Sequence, residues 1–128
     1  MRKRFLFVLL LIANMILQSG CAAMMLGAAI GAGGVAYFKG NLEKNLDHPV
    51  KSVHKAALSA LKKLKIIVVN EKLDIHSSKI KAKFSDHKDV HIDIKALTAK
   101  SSKIKIRVGA LGDEDSAKMI LNVIEKKL

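Results

Sequence analysis

Lys79-Ile80-Lys81-Ala82-Lys83-Phe84, Asp89-Val90-His91-Ile92-Asp93-Ile94-Lys95 and Lys103-Ile104-Lys105-Ile106-Arg107-Val108 are three runs in which apolar and polar residues alternate one by one. A period of two belongs to the β-strand, whose successive side chains point to opposite faces. Each run therefore predicts a strand with one face turned inward and the other in water. The connections Ser85-Asp86-His87-Lys88-Asp89 and Thr98-Ala99-Lys100-Ser101-Ser102 are short and polar, which suits antiparallel neighbours.

Upstream, the β-branched run Ile66-Ile67-Val68-Val69 predicts a buried strand. Before it, Val50, Val53, Ala57, Leu58, Ala60, Leu61 and Leu64 recur at helical spacing after Asp47 and Pro49, residue types that start helices, so a helix is predicted over 49–64. Its His54 is expected on the helix surface among Lys and Ala. Residues 37–46 read as a first strand bent at Gly40. At the other end, Gly109 to Asp113 closes the sheet. Asp113-Glu114-Asp115 then place negative charge at the start of a last helix, whose stripe is Ala117, Ile120, Leu121, Ile124 and Leu128.

The expected order is thus β-α-β-β-β-β-α. It describes an α+β domain over residues 37–128, an antiparallel sheet with two helices on one face in a two-layer sandwich. Leu61, Ile80, Phe84, Ile92, Ile94, Ile104, Ile106, Ile120 and Ile124 are the expected core.

Charge adds a second reading. Lys and Arg number 23 against 11 Asp and Glu, a formal net charge of +12, which points to anionic surroundings. With no Trp and aromatic residues at only 4%, the chain has little with which to stack on bases, and no nucleic-acid partner is expected. The strand register puts Lys79, Lys81 and Lys83, His91, Asp93 and Lys95, and Lys103, Lys105 and Arg107 on the wet face. Of these, Lys79, Lys81, Lys83, Lys95, Lys103, Lys105 and Arg107 form the candidate anion-binding face. Anionic lipid, lipopolysaccharide or an acidic envelope protein would be its partner. The bland reading is a solvated face whose lysines guard against aggregation.

The amino end has the order of an export signal: Arg2, Lys3 and Arg4, the apolar run Phe5 to Ala13, then Gln18-Ser19-Gly20 before the lone Cys21. Residues 1–20 read as a lipoprotein signal peptide, and Cys21 as the acylated first residue of the mature chain. Gln18 stands where such signals usually carry Leu, with Leu17 one place further back. Residues 21–36, rich in Gly and Ala, read as a tether between lipid and domain, the alternative being a helix-packing groove at the Gly27/Gly31 spacing. Ala22, rather than an Asp of the kind associated with inner-membrane retention, predicts a periplasm-facing anchor in the outer membrane of a bacterial envelope.

Several motif matches lack the context their chemistry needs. Gly31-Ala32-Gly33-Gly34-Val35-Ala36 fits a dinucleotide fingerprint, but it lies beside the anchor instead of between a strand and a helix. His87 and His91 with Asp86, Asp89 and Asp93 lack the spacing of a metal site, since the two histidines straddle a turn and a strand. No nucleophile elbow or paired catalytic carboxylates stand out. No catalytic, metal or cofactor-binding residue is therefore expected. The expected function is a non-enzymatic binding or structural module, and the alternative is a small-ligand carrier or enzyme with a site between helices and sheet.

Gly20-Cys21-Ala22-Ala23, Leu26-Gly27-Ala28-Ala29, Ala36-Tyr37, Lys39-Gly40, Leu42-Glu43, Ile106-Arg107-Val108-Gly109 and Gly112-Asp113 resemble the small bacterial lipoproteins grouped as domain of unknown function 3568. The resemblance implies an envelope lipoprotein and brings no catalytic residue with it.

Overall fold

The structure, a computed structural model, describes residues 1–13 and 34–128. Helix α1 covers residues 2–13, and its apolar side chains from Phe5 to Ile12 are exposed. Among the described residues no helix is long and apolar enough to cross a membrane. Cys21, Gly27, Gly31 and the cleavage region lie outside the described residues.

The domain runs β1 (Ala36–Phe38), β2 (Asn41–Leu46), α2 (Val50–Lys63), β3 (Ile67–Leu73), β4 (Ser77–Lys83), β5 (Asp89–Ala96), β6 (Ser102–Val108) and α3 (Glu114–Lys127). Its six antiparallel strands stand in the order β1-β2-β6-β5-β4-β3. Helix α2 lies over β3, β4 and β5, and α3 over β6 and β2, with the two helices side by side. The result is an open α+β sandwich.

The alternating strands point as their sequence requires. Ile80, Ile92, Ile94, Ile104 and Ile106 face the helices at 0 to 1% exposure and meet Val53, Leu61, Ile120 and Ile124 at 0%. Each fully buried aliphatic chain of this size contributes roughly 1.5–3 kcal/mol. Alanines 56, 57 and 60 line the buried side of α2, so little side chain stands between that helix and its neighbours.

Four expectations need correction. The first strand is a hairpin: Phe38 opposes Asn41 across a two-residue turn in which Lys39 (φ 50°) and Gly40 (φ 81°) are both left-handed. Such a turn twists with the strands it joins, so the chain reverses where a bend was expected.

The run 66–69 is not a buried strand. Only Ile66 is buried, while every residue of β3 is exposed, Ile67 at 68% and Val69 at 61%. Its β-branched residues favour extended backbone wherever it lies. Here it is the sheet edge, and the ladder is interrupted between Val68 and Asn70, an irregularity that blunts edge-to-edge pairing.

Phe84 falls just past the end of β4 and is half-buried against the core, so truncation there removes less than a fully buried ring would. Finally, α2 is capped by Pro49 without a side-chain hydrogen bond, and Asp47 is exposed.

Helix α3 starts as predicted. Asp113 is its N-cap, accepting hydrogen bonds from the Ser116 amide (3.2 Å) and hydroxyl (2.8 Å), while Lys88 approaches at 3.2 Å. The Ser116 hydroxyl and amide, then Lys88, lower its carboxyl from 3.8 to about 2. A carboxyl depressed in the folded state stabilises it above the unfolded value, and that stabilisation is lost as pH falls from 3.8 towards about 2. Thermal unfolding of the D113N variant should accordingly lose less stability over this acid range than the parent does.

Candidate functional site

The face of the sheet turned away from the helices is the candidate site. Strand register sets its side chains in rows across neighbouring strands. One row runs Lys72, Lys79, Asp93, Lys105 and Glu43 from β3 to β2, a second holds Lys81, His91 and Arg107, and a third Lys95, Lys103 and Asn45. All seven predicted cations are on this face, and none is buried.

They are not equivalent. Lys83 is 3.5 Å from Asp89, Lys105 is 3.9 Å from Asp93, and Lys103 is 4.0 Å from Glu43. Exposed pairs of this length are worth about 0–1 kcal/mol and leave the lysines available to other anions. Among the described residues Lys79, Lys81 and Lys95 have no ion-pair partner. Glu43, Asp93, Lys95, Lys103 and Lys105 surround a depression of about 250 Å³.

Arg107 has a different task. Its guanidinium donates to the Lys39 carbonyl at 2.8 Å and to the Ala110 carbonyl. It thereby ties the β1–β2 turn to the loop after β6, which leaves little of its donor fork for a ligand.

The helix side holds one polar cluster that sequence reasoning missed. His54, expected on the surface, is only 6% exposed. Its Nδ1 lies 2.6 Å from the Ser78 hydroxyl and its Nε2 3.1 Å from the Glu71 carboxylate. Every group is satisfied when Ser78 donates to Nδ1 and Nε2–H donates to Glu71. Ser, His and Glu are the residue types of a hydrolytic triad, but a nucleophile must reach an acyl carbon, and Ser78 is 2% exposed. The cluster instead fastens α2 to β4 and to the edge strand β3. A signal was present in the sequence, since His54 stands four residues after Val50 and three before Ala57, the spacing of one helix face.

His76, His87, His91 and the nearby aspartates do not gather. Among the described residues no group of three or more His, Cys, Asp or Glu is placed to hold a metal ion.

Fold and site together define the class: an open α+β sandwich with one sheet face covered by helices and the other left to lysines. The chain belongs to the family described as Protein of unknown function (DUF3568), whose model matches residues 4–127. Comparison with curated proteins finds no match.

Proposed function

We propose that the chain is a lipid-anchored protein of the bacterial cell envelope. In this reading it acts as a non-enzymatic binding or structural module that turns its basic sheet face towards anionic phospholipid headgroups. The observation that carries the proposal is the face left uncovered by the helices, on which Lys79, Lys81 and Lys95 stand without carboxylate partners among the described residues. Like charges on strands about 5 Å apart repel one another, and bound anions relieve that repulsion. Cys21, as the acylated residue, would hold the domain beside a bilayer and make headgroups the nearest anions. Helices and sheet meet through core side chains at 0 to 6% exposure, an arrangement that favours a surface-acting module over a carrier with an interior site.

Two measurements test this. The Cys21→Ser variant should move from the membrane to the soluble fraction and lose lipid label. Unchanged fractionation would refute the anchor. The chain from residue 21 onward carrying that substitution should then sediment with anionic vesicles at low salt, sediment less at high salt, and not sediment with neutral ones. Each lysine near such a surface contributes about 1 kcal/mol, so K79Q/K81Q/K95Q together should weaken binding by roughly two orders of magnitude. Equal sedimentation with both vesicle types, or no loss in the triple variant, would refute the role of the face.

A further inference from the structure

The two ends of the sheet differ in a way that selects an orientation at the bilayer. At one end are the β3–β4 turn, the β5–β6 turn and the carboxyl end of α3. Ile75 in the first turn is 88% exposed and Leu97 in the second is 49% exposed. The turns are direct neighbours, because the Ala96 amide donates to the His76 carbonyl at 2.8 Å. Lys95 and Lys100 flank this apolar pair without an ion-pair partner among the described residues, and Lys126 and Lys127 close the last turn of α3. Of the carboxylates at this end, Asp74 and Glu125 are paired with Lys72 and Lys44, and the exposed Asp47 follows the end of β2, where Lys95, Lys100, Lys126 and Lys127 outnumber it.

The opposite end also exposes an apolar side chain, Leu111 at 94%. That residue lies beside Asp113, Glu114 and Asp115, with Asp86 and Asp89 on the adjoining turn. Asp89, Asp113 and Glu114 are paired with Lys83, Lys88 and Lys118, and Asp86 and Asp115 add charge that opposes an anionic surface. Strand direction supplies a further distinction. Strand β2 runs towards the Ile75–Leu97 end and β1 is antiparallel to it, so the chain before Ala36 joins the sheet from that same end. A segment joining Cys21 to β1 therefore has no need to cross the domain.

We propose that this end makes the bilayer contact: Ile75 and Leu97 enter the headgroup boundary while Lys95 and Lys100 meet the phosphates. Apolar side chains flanked by lysines on adjacent turns have the amphipathic chemistry of an interfacial site. The inference rests on the anionic bilayer proposed above as partner and adds which part of the domain touches it.

The natural chain has no Trp, so one introduced Trp is an unambiguous reporter. I75W, L97W and L111W each change an exposed position. The lipidated full chain carrying one of them would be reconstituted into phosphatidylcholine vesicles with or without phosphatidylglycerol, using lipids brominated on their acyl chains as quenchers. I75W and L97W are expected to shift to the blue and lose most of their emission in anionic vesicles, to recover in high salt, and to stay unquenched in neutral vesicles. L111W should be unquenched throughout.

Quenching of L111W, or none at I75W and L97W in anionic vesicles, would overturn the orientation. A blue shift of I75W without vesicles, accompanied by dimerisation in sedimentation equilibrium, would overturn it in favour of a second copy on this end. If the lysine variants described above still lose vesicle binding while I75W stays unquenched, the basic-face reading stands and this one falls. If the chain has no preference for anionic vesicles, both fall.

Discussion

Gly112→Ala is expected to lower the unfolding free energy by about 3 kcal/mol or more, with two separate causes. Gly112 has φ +83°, in the left-handed region where a side chain costs roughly 1–2 kcal/mol. In addition, a Cβ there would lie 2.3 Å from the Gly40 Cα, 2.6 Å from the Gly40 carbonyl oxygen and 2.8 Å from the Tyr37 hydroxyl. The first two are backbone atoms and have no rotamer by which to move aside. The β1–β2 hairpin would have to lift from the loop after β6, loosening the Arg107 clamp with it. For a domain of this size about 3 kcal/mol corresponds to a fall in Tm of roughly 12–24 °C. Gly109→Ala is the control: φ is +73°, but the new Cβ would meet only the flexible Lys88 side chain at 3.5 Å. It should show the conformational cost alone, about 1–2 kcal/mol. Equal Tm losses for the two variants would mean that the close approach of the hairpin carries no weight.

The second large effect is expected at His54. His54→Ala should cost about 2–4 kcal/mol, because it leaves the Ser78 hydroxyl buried without its partner and opens a void beneath α2. Removing both polar groups is less damaging than stranding one. The H54A/S78A double variant should therefore be more stable than the sum of the single losses by about 1 kcal/mol. Urea unfolding of the four proteins measures this directly. Strict additivity would show that the 2.6 Å contact between His54 and Ser78 contributes nothing.

How much of this was legible in the sequence depended on contrast between neighbouring residues. In Lys79 to Lys83, Val90 to Ile94 and Ile104 to Val108 the two faces differ so sharply in chemistry that a one-residue slip would bury lysines, and the structure keeps the predicted register throughout. The lysines of the candidate face were legible for the same reason. Glu43 beside Lys103 and Lys105 was not, because strand order decides that neighbourhood and β2 reaches β6 from far along the chain. Ile67 to Val69 misled because their side chains specify extended backbone without saying whether a helix will cover it. His54 and Arg107 illustrate the same limit for polar groups: their partners arrive from β3, β4 and the two turns, and local spacing carries no trace of them.

The strand order also governs when the domain can close. Among the described residues β2 lies between the short β1 and β6, and Leu42, paired locally with Tyr37, waits for Ile106 on its other side. Strands β3 to β6 can zip by successive local hairpins, whereas the amino-terminal hairpin must be captured across nearly the whole domain. A chain emerging amino end first thus keeps its first two strands uncommitted until almost its last residues appear. Closure of the domain is then a late step that waits for β6.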